Sequence, residues 1–289
     1  MLYGAIEAGG TKIICAIGNE NGEILETVRF DTLTPDVTMP KIIEYFKKHE
    51  ISSLGIGCFG PVGVNPAASN YGFILDTPKL AWAQFDFLGT LKKEFSVPMA
   101  FDTDVNGAAL AEYKWGAARG VNSCLYITVG TGVGAGALID GQLIHGLLHP
   151  EMGHILVRNH VEDTFEGVCP YHGCCLEGMA AGPAVEKRWG VKGHLLEEDH
   201  KAWEFEAYYM AQGILSYIMV LSPEKIVLGG GVMGQDHLVQ KIRAKVKELV
   251  NGYIKVEALG VGIEDYIVRP GLGEISGTYG ALALAISAK

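Results

Sequence analysis

The densest chemistry in the chain lies between Glu151 and Glu177, where EMGH is followed by CPYHGCCLE. Thiolate sulfur and neutral imidazole are the ligands zinc takes in a closed, four-coordinate structural site. His154, Cys169, His172 and Cys175 supply one complete set, and Cys169, His172 and Cys175 follow one another at intervals of three residues, within reach of one ion. Of the adjacent pair Cys174 and Cys175 only one need ligate, because neighbouring side chains often point apart. Glu151 and Glu177 flank the set. Carboxylates are less usual in such a site, which leaves both free to bind something else, such as the hydroxyls of a sugar.

A second candidate lies in FDTDVNGAALAEY, where Asp102, Asp104 and Asn106 fall between the strand-like Val97 to Phe101 and a helical segment. Asp and Asn are common helix N-caps, so one of them is expected to cap. A carboxylate held at a strand end is also what accepts the proton of an attacking hydroxyl, and Asp104 is the candidate base. Two further stretches, IEAGGTKIICAIG and TVGTGVGAGALID, each read strand, Gly-rich turn, strand, with Thr11 or Thr131 in the turn. One such hairpin is ordinarily just a turn, since glycine is the default where φ must be positive. Two of them opening the two halves of one chain point to backbone N–H concavities that hold anions. No GxxxxGK[ST] occurs, so any phosphate cradle has to come from these hairpins. Gly229, Gly231 and Gly234 fit GxGxxG, but the motif sits late in the chain and no acid stands where a ribose contact is expected. The same glycines can let backbone lie flat against an adenosine. The other histidines, His49, His145, His149, His160, His194, His200 and His237, show no comparable grouping and read mostly as surface or loop residues.

These groups have to be positioned by a regular scaffold. Strand-like runs occur at Leu2 to Ile6, Lys12 to Gly18, Ile24 to Phe30, Leu54 to Cys58, Cys124 to Val129, Gly134 to Ile139, Lys225 to Leu228 and Ile263 to Val268. Helical spacing is found at Met39 to His49, Val105 to Trp115, Trp203 to Leu221, Leu238 to Val250 and Ile275 to Ser287, the last rich in small residues that suit close packing. The pattern is α/β. A chain of 289 residues with 48% hydrophobic residues can bury a large core or two modest ones. Its 23 basic and 33 acidic residues give a net charge of −10 with no basic block to track a phosphate backbone, so no nucleic-acid partner is expected. The start, MLYGAIEAGG, has no signal-peptide pattern, and no apolar run is long enough to cross a bilayer, so no membrane role is expected. Cys15, Cys58 and Cys124 sit in apolar strand-like stretches and read as reduced core residues. A reducing, cytoplasmic setting follows, where clustered Cys and His mean metal more often than disulfide.

In their order and their wording these motifs resemble the ROK sugar kinases, and within that family the bacterial fructokinases. IEAGGTK is similar to the first phosphate hairpin, DTDVNGAALAE to the catalytic segment, TVGTGVGAG to the second hairpin, HPEMGH with CPYHGCCLEG to the zinc and sugar signature, and LGGGVM to the adenosine segment. GPVGVNP, with Gly60, and YGFILDTPKLAW resemble the sugar-side loops of the fructokinase branch. The resemblance implies an actin-like, ribonuclease-H-like kinase of two α/β domains that takes ATP and a hexose. Domain boundaries are expected at 1–115, with helix 276–289 packing back onto it, and 116–275. Asp104 would be the base; Gly9, Gly10, Thr11 and Lys12 with Gly130, Thr131 and Gly132 would hold phosphates. Gly182, Pro183, Gly229, Gly230, Gly231 and Val232 would border adenosine, and Gly60, Asn106, Glu151, His154 and Glu177 would meet the sugar. Many members carry Asp where this chain has Glu7, the residue implied to hold Mg²⁺ through water, although the fructokinase branch shares the Glu. His172 replaces a cysteine of the broader family's zinc segment, and counting back two residues from Glu177 selects Cys175 as the last ligand. The implied reaction is transfer from ATP to the primary hydroxyl of fructose, in a homodimer. A broader mannose or glucose kinase, or a non-catalytic sugar or nucleotide sensor, are the alternatives.

Overall fold

The structure, a computed structural model, describes residues 1–288. Contacts divide the chain into two units. One comprises Met1–Arg119, Leu143–Pro150 and the chain from Gly271 onward; the other comprises Gly120–Gln142 and Glu151–Pro270.

The first unit opens with strands β1 (Leu2–Ala8), β2 (Lys12–Asn19) and β3 (Ile24–Asp31), then helix α1 (Pro35–Phe46) and strand β4 (Ser53–Cys58). A short hairpin of β5 (Phe73–Ile74) and β6 (Phe85–Asp86) precedes α2 (Phe87–Lys92), β7 (Met99–Thr103) and α3 (Asp104–Lys114). The sheet order is β3-β2-β1-β4-β7, antiparallel among the first three strands and parallel from β1 through β4 to β7. The central parallel strand β4 is buried at every position, which is why SLGIGC reads as an unbroken apolar run. Helix α1 starts earlier than the periodicity suggested, because Pro35 is pre-set for the first helical turn.

The second unit repeats the plan. Strands β8 (Cys124–Val129), β9 (Val133–Ile139) and β10 (Gln142–Leu143) are followed by helices α4 (Leu176–Ala180), α5 (Gly182–Trp189) and α6 (Ala202–Leu221). Strand β11 (Lys225–Gly229), helices α7 (Asp236–Val250) and α8 (Ile263–Tyr266), and strand β12 (Ile267–Val268) complete it. Its sheet runs β10-β9-β8-β11-β12, again antiparallel between β8 and β9 and parallel from β8 through β11 to β12. The strand expected over Ile263 to Val268 is therefore mostly a helical turn. Ile263 and Tyr266, three residues apart, are the positions it buries, and only Ile267 and Val268 pair with β11.

The last helix, α9 (Ser276–Ser287), belongs to the first unit and shows what its small residues are for. A Cβ added at Gly280 would lie 2.2 Å from the backbone of Gly107 in α3, and one at Gly55 in β4 would lie 2.0 Å from the Ala281 carbonyl. Only glycine allows helix and strand backbones to approach so closely. Glu112 of α3 is fully buried and fastens the entry to α9, accepting from the N–H groups of Gly271 (2.9 Å) and Leu272 (3.1 Å) and from the Ser276 hydroxyl (2.8 Å). The segment Leu143–Pro150, expected with the second domain, groups with the first unit. Two of its histidines supply the physical reason, as the site geometry shows. No helix among the described residues is long and apolar enough to cross a membrane.

Candidate functional site

In the first unit the chemistry collects where β7 passes into α3. The expectation that Asp or Asn caps this helix is corrected: Thr103 is the cap, with extended backbone and a side-chain oxygen that accepts the Asn106 N–H at 3.0 Å. Neither aspartate caps the helix. Asp104 is the first helical residue, where open backbone N–H groups favour an anionic side chain, and its Oδ1 accepts the Val105 N–H at 2.9 Å. Asp102 points inward and is 4% exposed. Its Oδ1 accepts from the Thr103 N–H (2.7 Å) and Asn106 Nδ2 (2.8 Å), and its Oδ2 lies 2.7 Å from His145 Nε2. The hydrogen bond to Asp102 raises the His145 pKa above the usual imidazole value, outweighing the opposite pull of burial.

His145, exposed, and His149 both lie in the loop that follows β10, as the sequence reading has them, but each holds a partner that the reading did not foresee. His149 is buried, and its Nε2 accepts the Val62 N–H at 3.1 Å, two residues from Gly60 and its cis peptide to Pro61. No spacing marks these contacts, because each joins residues that are far apart in sequence. Pairing between distant Asp102 and His145 is the part of the site that motif reading missed.

The first hairpin connects the paired residues Ala8 and Ile13 through Gly9, Gly10, Thr11 and Lys12. The Gly9 N–H donates to the Lys12 carbonyl (2.9 Å), and Thr32 ties the turn to the end of β3 with its hydroxyl on the Gly9 carbonyl (2.8 Å) and its N–H on the Thr11 carbonyl (3.1 Å). A Cβ at Gly10 would meet the Lys79 side chain at 3.7 Å, so a cation lies beside this turn, another contact the motifs did not reveal. Glu7, at the strand end below, accepts from the Thr278 hydroxyl, and a Cβ at Gly277 would collide with its carboxyl group at 2.7 Å. Glycine at 277 keeps room for that carboxylate, which suits the single carboxylate contact a hydrated Mg²⁺ takes.

In the second unit, ligand atoms of His154, Cys169, His172 and Cys175 all lie within 4.8 Å of one another. His154 Nδ1 is 3.7 Å from Cys169 Sγ and 3.5 Å from Cys175 Sγ, and His172 Nδ1 is 3.6 Å from Cys169 Sγ. A tetrahedron with zinc–sulfur bonds of ~2.3 Å and zinc–nitrogen bonds of ~2.0 Å has sulfur–nitrogen edges of roughly 3.5 Å, so the donor set fits zinc in type and in spacing. Cys175 belongs to the cluster and is buried; Cys174 is half-buried and outside it. Burial pushes the Cys175 thiol up to about 11, so a cation binding there displaces its proton. Cys175 also caps α4, its sulfur accepting the Gly178 N–H, and α4 carries Glu177 two residues on.

Glu177 links the cluster to the second hairpin. Its Oε1 is 3.8 Å from His154 Nε2, the ring nitrogen not turned to the sulfurs, and its Oε2 accepts the Val133 N–H at 3.0 Å. The hairpin joins paired Val129 and Val133 through Gly130, Thr131 and Gly132. Gly182, at the start of α5 ahead of Pro183, donates its N–H to the Gly130 carbonyl at 2.7 Å, and a Cβ on Gly182 would touch Val232 at 3.7 Å. Gly230 sits at φ +91° with its α-carbon against Val129, where a Cβ would lie 2.4 Å from a carbonyl oxygen. The second hairpin, the Gly182–Pro183 step and the Gly229, Gly230, Gly231 and Val232 segment thus form one contiguous glycine-lined surface. Glu151 is exposed and precedes the single turn Met152–His154, whose His154 N–H returns to the Glu151 carbonyl at 3.0 Å.

Residues 3–288 match the model of the ROK family. The chain belongs to the ROK family. It is 46% identical to a fructokinase of Pediococcus pentosaceus, covering 100% of this chain and 99% of that one. It is 45% identical to a fructokinase of Streptococcus mutans serotype c (strain ATCC 700610 / UA159), covering 98% and 97%. A ROK hexokinase from Thermus thermophilus shares the fold with a TM-score of 0.81 at 25% identity, over 99% of this chain and 98% of that one. The ROK fold is the actin-like arrangement expected from the sequence, and the two sheets of like strand order are its duplicated core. Within this ROK chain each of the motifs named at the outset falls at a strand end, a hairpin turn or a helix start.

Proposed function

We propose that this protein transfers the γ-phosphoryl group of ATP to the primary hydroxyl of fructose, giving fructose 6-phosphate. The observation that carries the reading is its similarity, at 45% and 46% identity over nearly the whole length, to two fructokinases. The geometry supports a role for each part. Asp104, at the start of α3, accepts the proton of the attacking hydroxyl. The two hairpins offer bare backbone N–H groups to the phosphates, the first with Lys79 alongside, and the Gly182–Pro183 and Gly229 to Val232 surface takes the adenosine. Glu7 is assigned to Mg²⁺, which would neutralise phosphate charge. Phosphoryl transfer asks a protein mainly for positioning and electrostatic stabilisation, so rigid turns and an oriented acceptor are what it must supply.

Gly60, Asn106, Glu151, His154 and Glu177 are assigned to the sugar. A carboxylate that accepts two neighbouring hydroxyls acts as an orienting clamp, and a polar clamp left unpaired disfavours substrates lacking the matching hydroxyl. The Cys and His set is assigned to a structural zinc whose work is to hold α4 and the turn of His154 in place. Soluble operation in the cytoplasm and a homodimer complete the proposal.

Asp104→Asn tests the chemistry. The variant is expected to melt within a few degrees of the wild type and to bind fructose with similar affinity, while kcat falls by roughly 10²- to 10⁴-fold, the range for loss of a general base. Unchanged kcat would remove Asp104 from the role. The substrate is tested by an ATP-coupled assay over fructose, mannose, glucose and N-acetylated hexosamines, with fructose expected to give the highest kcat/KM.

A further inference from the structure

Asn106 is assigned to the sugar, yet it is 1% exposed and its amide nitrogen is already committed, donating to Asp102 Oδ1 at 2.8 Å. A primary amide presents two donors on one side and a carbonyl acceptor on the other, and the partner on one side decides which remains for a ligand. Here that partner is a carboxylate, which only accepts. The flip is set by the network, and Oδ1 is the atom turned away from Asp102. Asp102 is itself held at both ends. Its Oδ1 is shared with the Thr103 N–H at 2.7 Å, and its Oδ2 meets His145 Nε2 at 2.7 Å. His145 Nε2 must carry the proton of that bond, so the 3.5 Å approach of Asn106 Nδ2 to the same nitrogen sets donor against donor and cannot compete.

We infer that Asp102 and His145 are a positioning dyad that fixes the flip of Asn106, so that its Oδ1 is the acceptor offered to one hydroxyl of the bound sugar. The inference rests on the kinase reading for the assignment of Asn106 to the sugar. Its physical content lies in what the loss of His145 does. Asp102 Oδ2 is then buried without a partner, and a carboxylate in that state rotates away or takes up a proton. A protonated Asp102 can donate to Asn106 Oδ1 as readily as accept from Nδ2. The amide loses its preferred flip and offers the sugar hydroxyl a donor and an acceptor in alternation. His145 comes from the segment Leu143–Pro150, which shares its unit with Asp102 and Asn106. Closure of the network therefore needs no element from elsewhere.

The test measures fructose affinity by calorimetry, and KM and kcat, for the wild type and for Asn106→Ala, His145→Leu and His145→Gln, on fructose and its monodeoxy analogues. Asn106→Ala identifies the hydroxyl concerned, as the one whose removal no longer matters. His145→Leu is expected to weaken fructose binding about tenfold, the scale of one misdirected hydrogen bond to a buried polar group, with KM for ATP within about twofold. It should also shrink discrimination against that same deoxy analogue. His145→Gln, whose amide nitrogen occupies the place of Nε2 and still donates to Asp102, is expected to restore fructose affinity to within about threefold of wild type. His145→Asn is too short to reach Asp102 and should behave like the leucine variant if leucine destabilises the fold. The dyad is refuted if discrimination at that hydroxyl survives in both His145→Leu and His145→Asn, if His145→Gln is as impaired as they are, or if KM for ATP rises in step. A wild type that binds fructose without phosphorylating it overturns the kinase reading and leaves the dyad to be judged on affinity; one that does not bind fructose overturns both.

Discussion

The two glycine hairpins look like copies of one another in sequence, but the structure supports them in opposite ways. The first spans Gly9 to Lys12 and is tied to its own sheet, through Thr32 at the end of β3. The second is one residue shorter, and what stands behind it is Glu177, carried by a helix whose cap, Cys175, belongs to the cluster of two cysteines and two histidines. Their charges differ as well: a lysine lies beside the first turn, a carboxylate beside the second, where a Cβ at Gly132 would sit 2.6 Å from Glu177 Oε2. Nor are the glycines there for left-handed backbone. None of Gly9, Gly10, Gly130 and Gly132 has positive φ, and at Gly130 an added Cβ would meet nothing. At Gly10, where the nearest contact of an added Cβ is 3.7 Å away, and at Gly130, glycine keeps the backbone bare. That is what a phosphate approaching the N–H groups requires, and it differs from Gly230, where φ +91° and packing against Val129 both demand glycine.

The largest test of this difference is metal removal. Prolonged chelation, or Cys175→Ser, is expected to lower turnover by roughly two orders of magnitude, with Mg²⁺ alone unable to restore it. Hydrogen exchange should show the asymmetry directly: the Val133 amide, bonded to Glu177, loses protection, while the Gly9 amide, bonded within its own turn, keeps it. Equal loss at both would mean that the hairpins share one support. Elemental analysis of protein purified without chelator should find one zinc per chain.

Next in size is Gly132→Ala, whose methyl group must displace Glu177. Its expected cost is about 1–3 kcal/mol of stability, read by urea unfolding, together with weaker fructose binding. Gly130→Ala is the control, expected to unfold within ~0.5 kcal/mol of wild type because its methyl group enters open space. Lys79→Met should raise KM for ATP about fivefold, and the difference from wild type should shrink with added salt, since a half-buried cation acts on an anion through a partly screened field. No such salt effect is expected for Glu177→Gln, which alters the packed side of the other hairpin.

The smallest effect is a pH dependence confined to the first unit. His145 has a folded pKa raised above its unfolded value, 6.5, by the bond to Asp102. A group shifted in that direction contributes stability that is fully present below the unfolded value and is lost as pH rises through the folded one. The stability advantage of wild type over His145→Gln should therefore be largest in mild acid and decline as the solution becomes alkaline. An advantage that grew with pH would mean that His145 is held neutral.

Much of the fold could be read along the chain because its signals are local. β1, β2, β8, β9 and α6 fall within a residue or two of the runs that periodicity marks, and α9 announces its close packing by its small residues. Ile263 to Val268 misled because apolar residues three apart are equally compatible with a short strand and with one helical turn, and the choice rests on what β11 leaves unpaired. The clustering of the cysteines and histidines was legible for the same reason as α6. Cys169, His172 and Cys175 are close in sequence, so their spacing alone brings them near one another.

Sequence by itself determined the run of clustered cysteines and histidines, the two hairpins, the strand-to-helix turn that bears Asp104, and the kinship of the whole. What only tertiary structure decided are the contacts between residues distant along the chain: Asp102 with His145, His149 with Val62, Lys79 beside Gly10, and Glu177 reaching from His154 to Val133. The separation has a physical origin. A backbone turn or a closely spaced ligand set is specified by the torsions and side chains of a few consecutive residues. A buried carboxylate finds its partner only after the sheets have formed and desolvation has made every unpaired polar group costly.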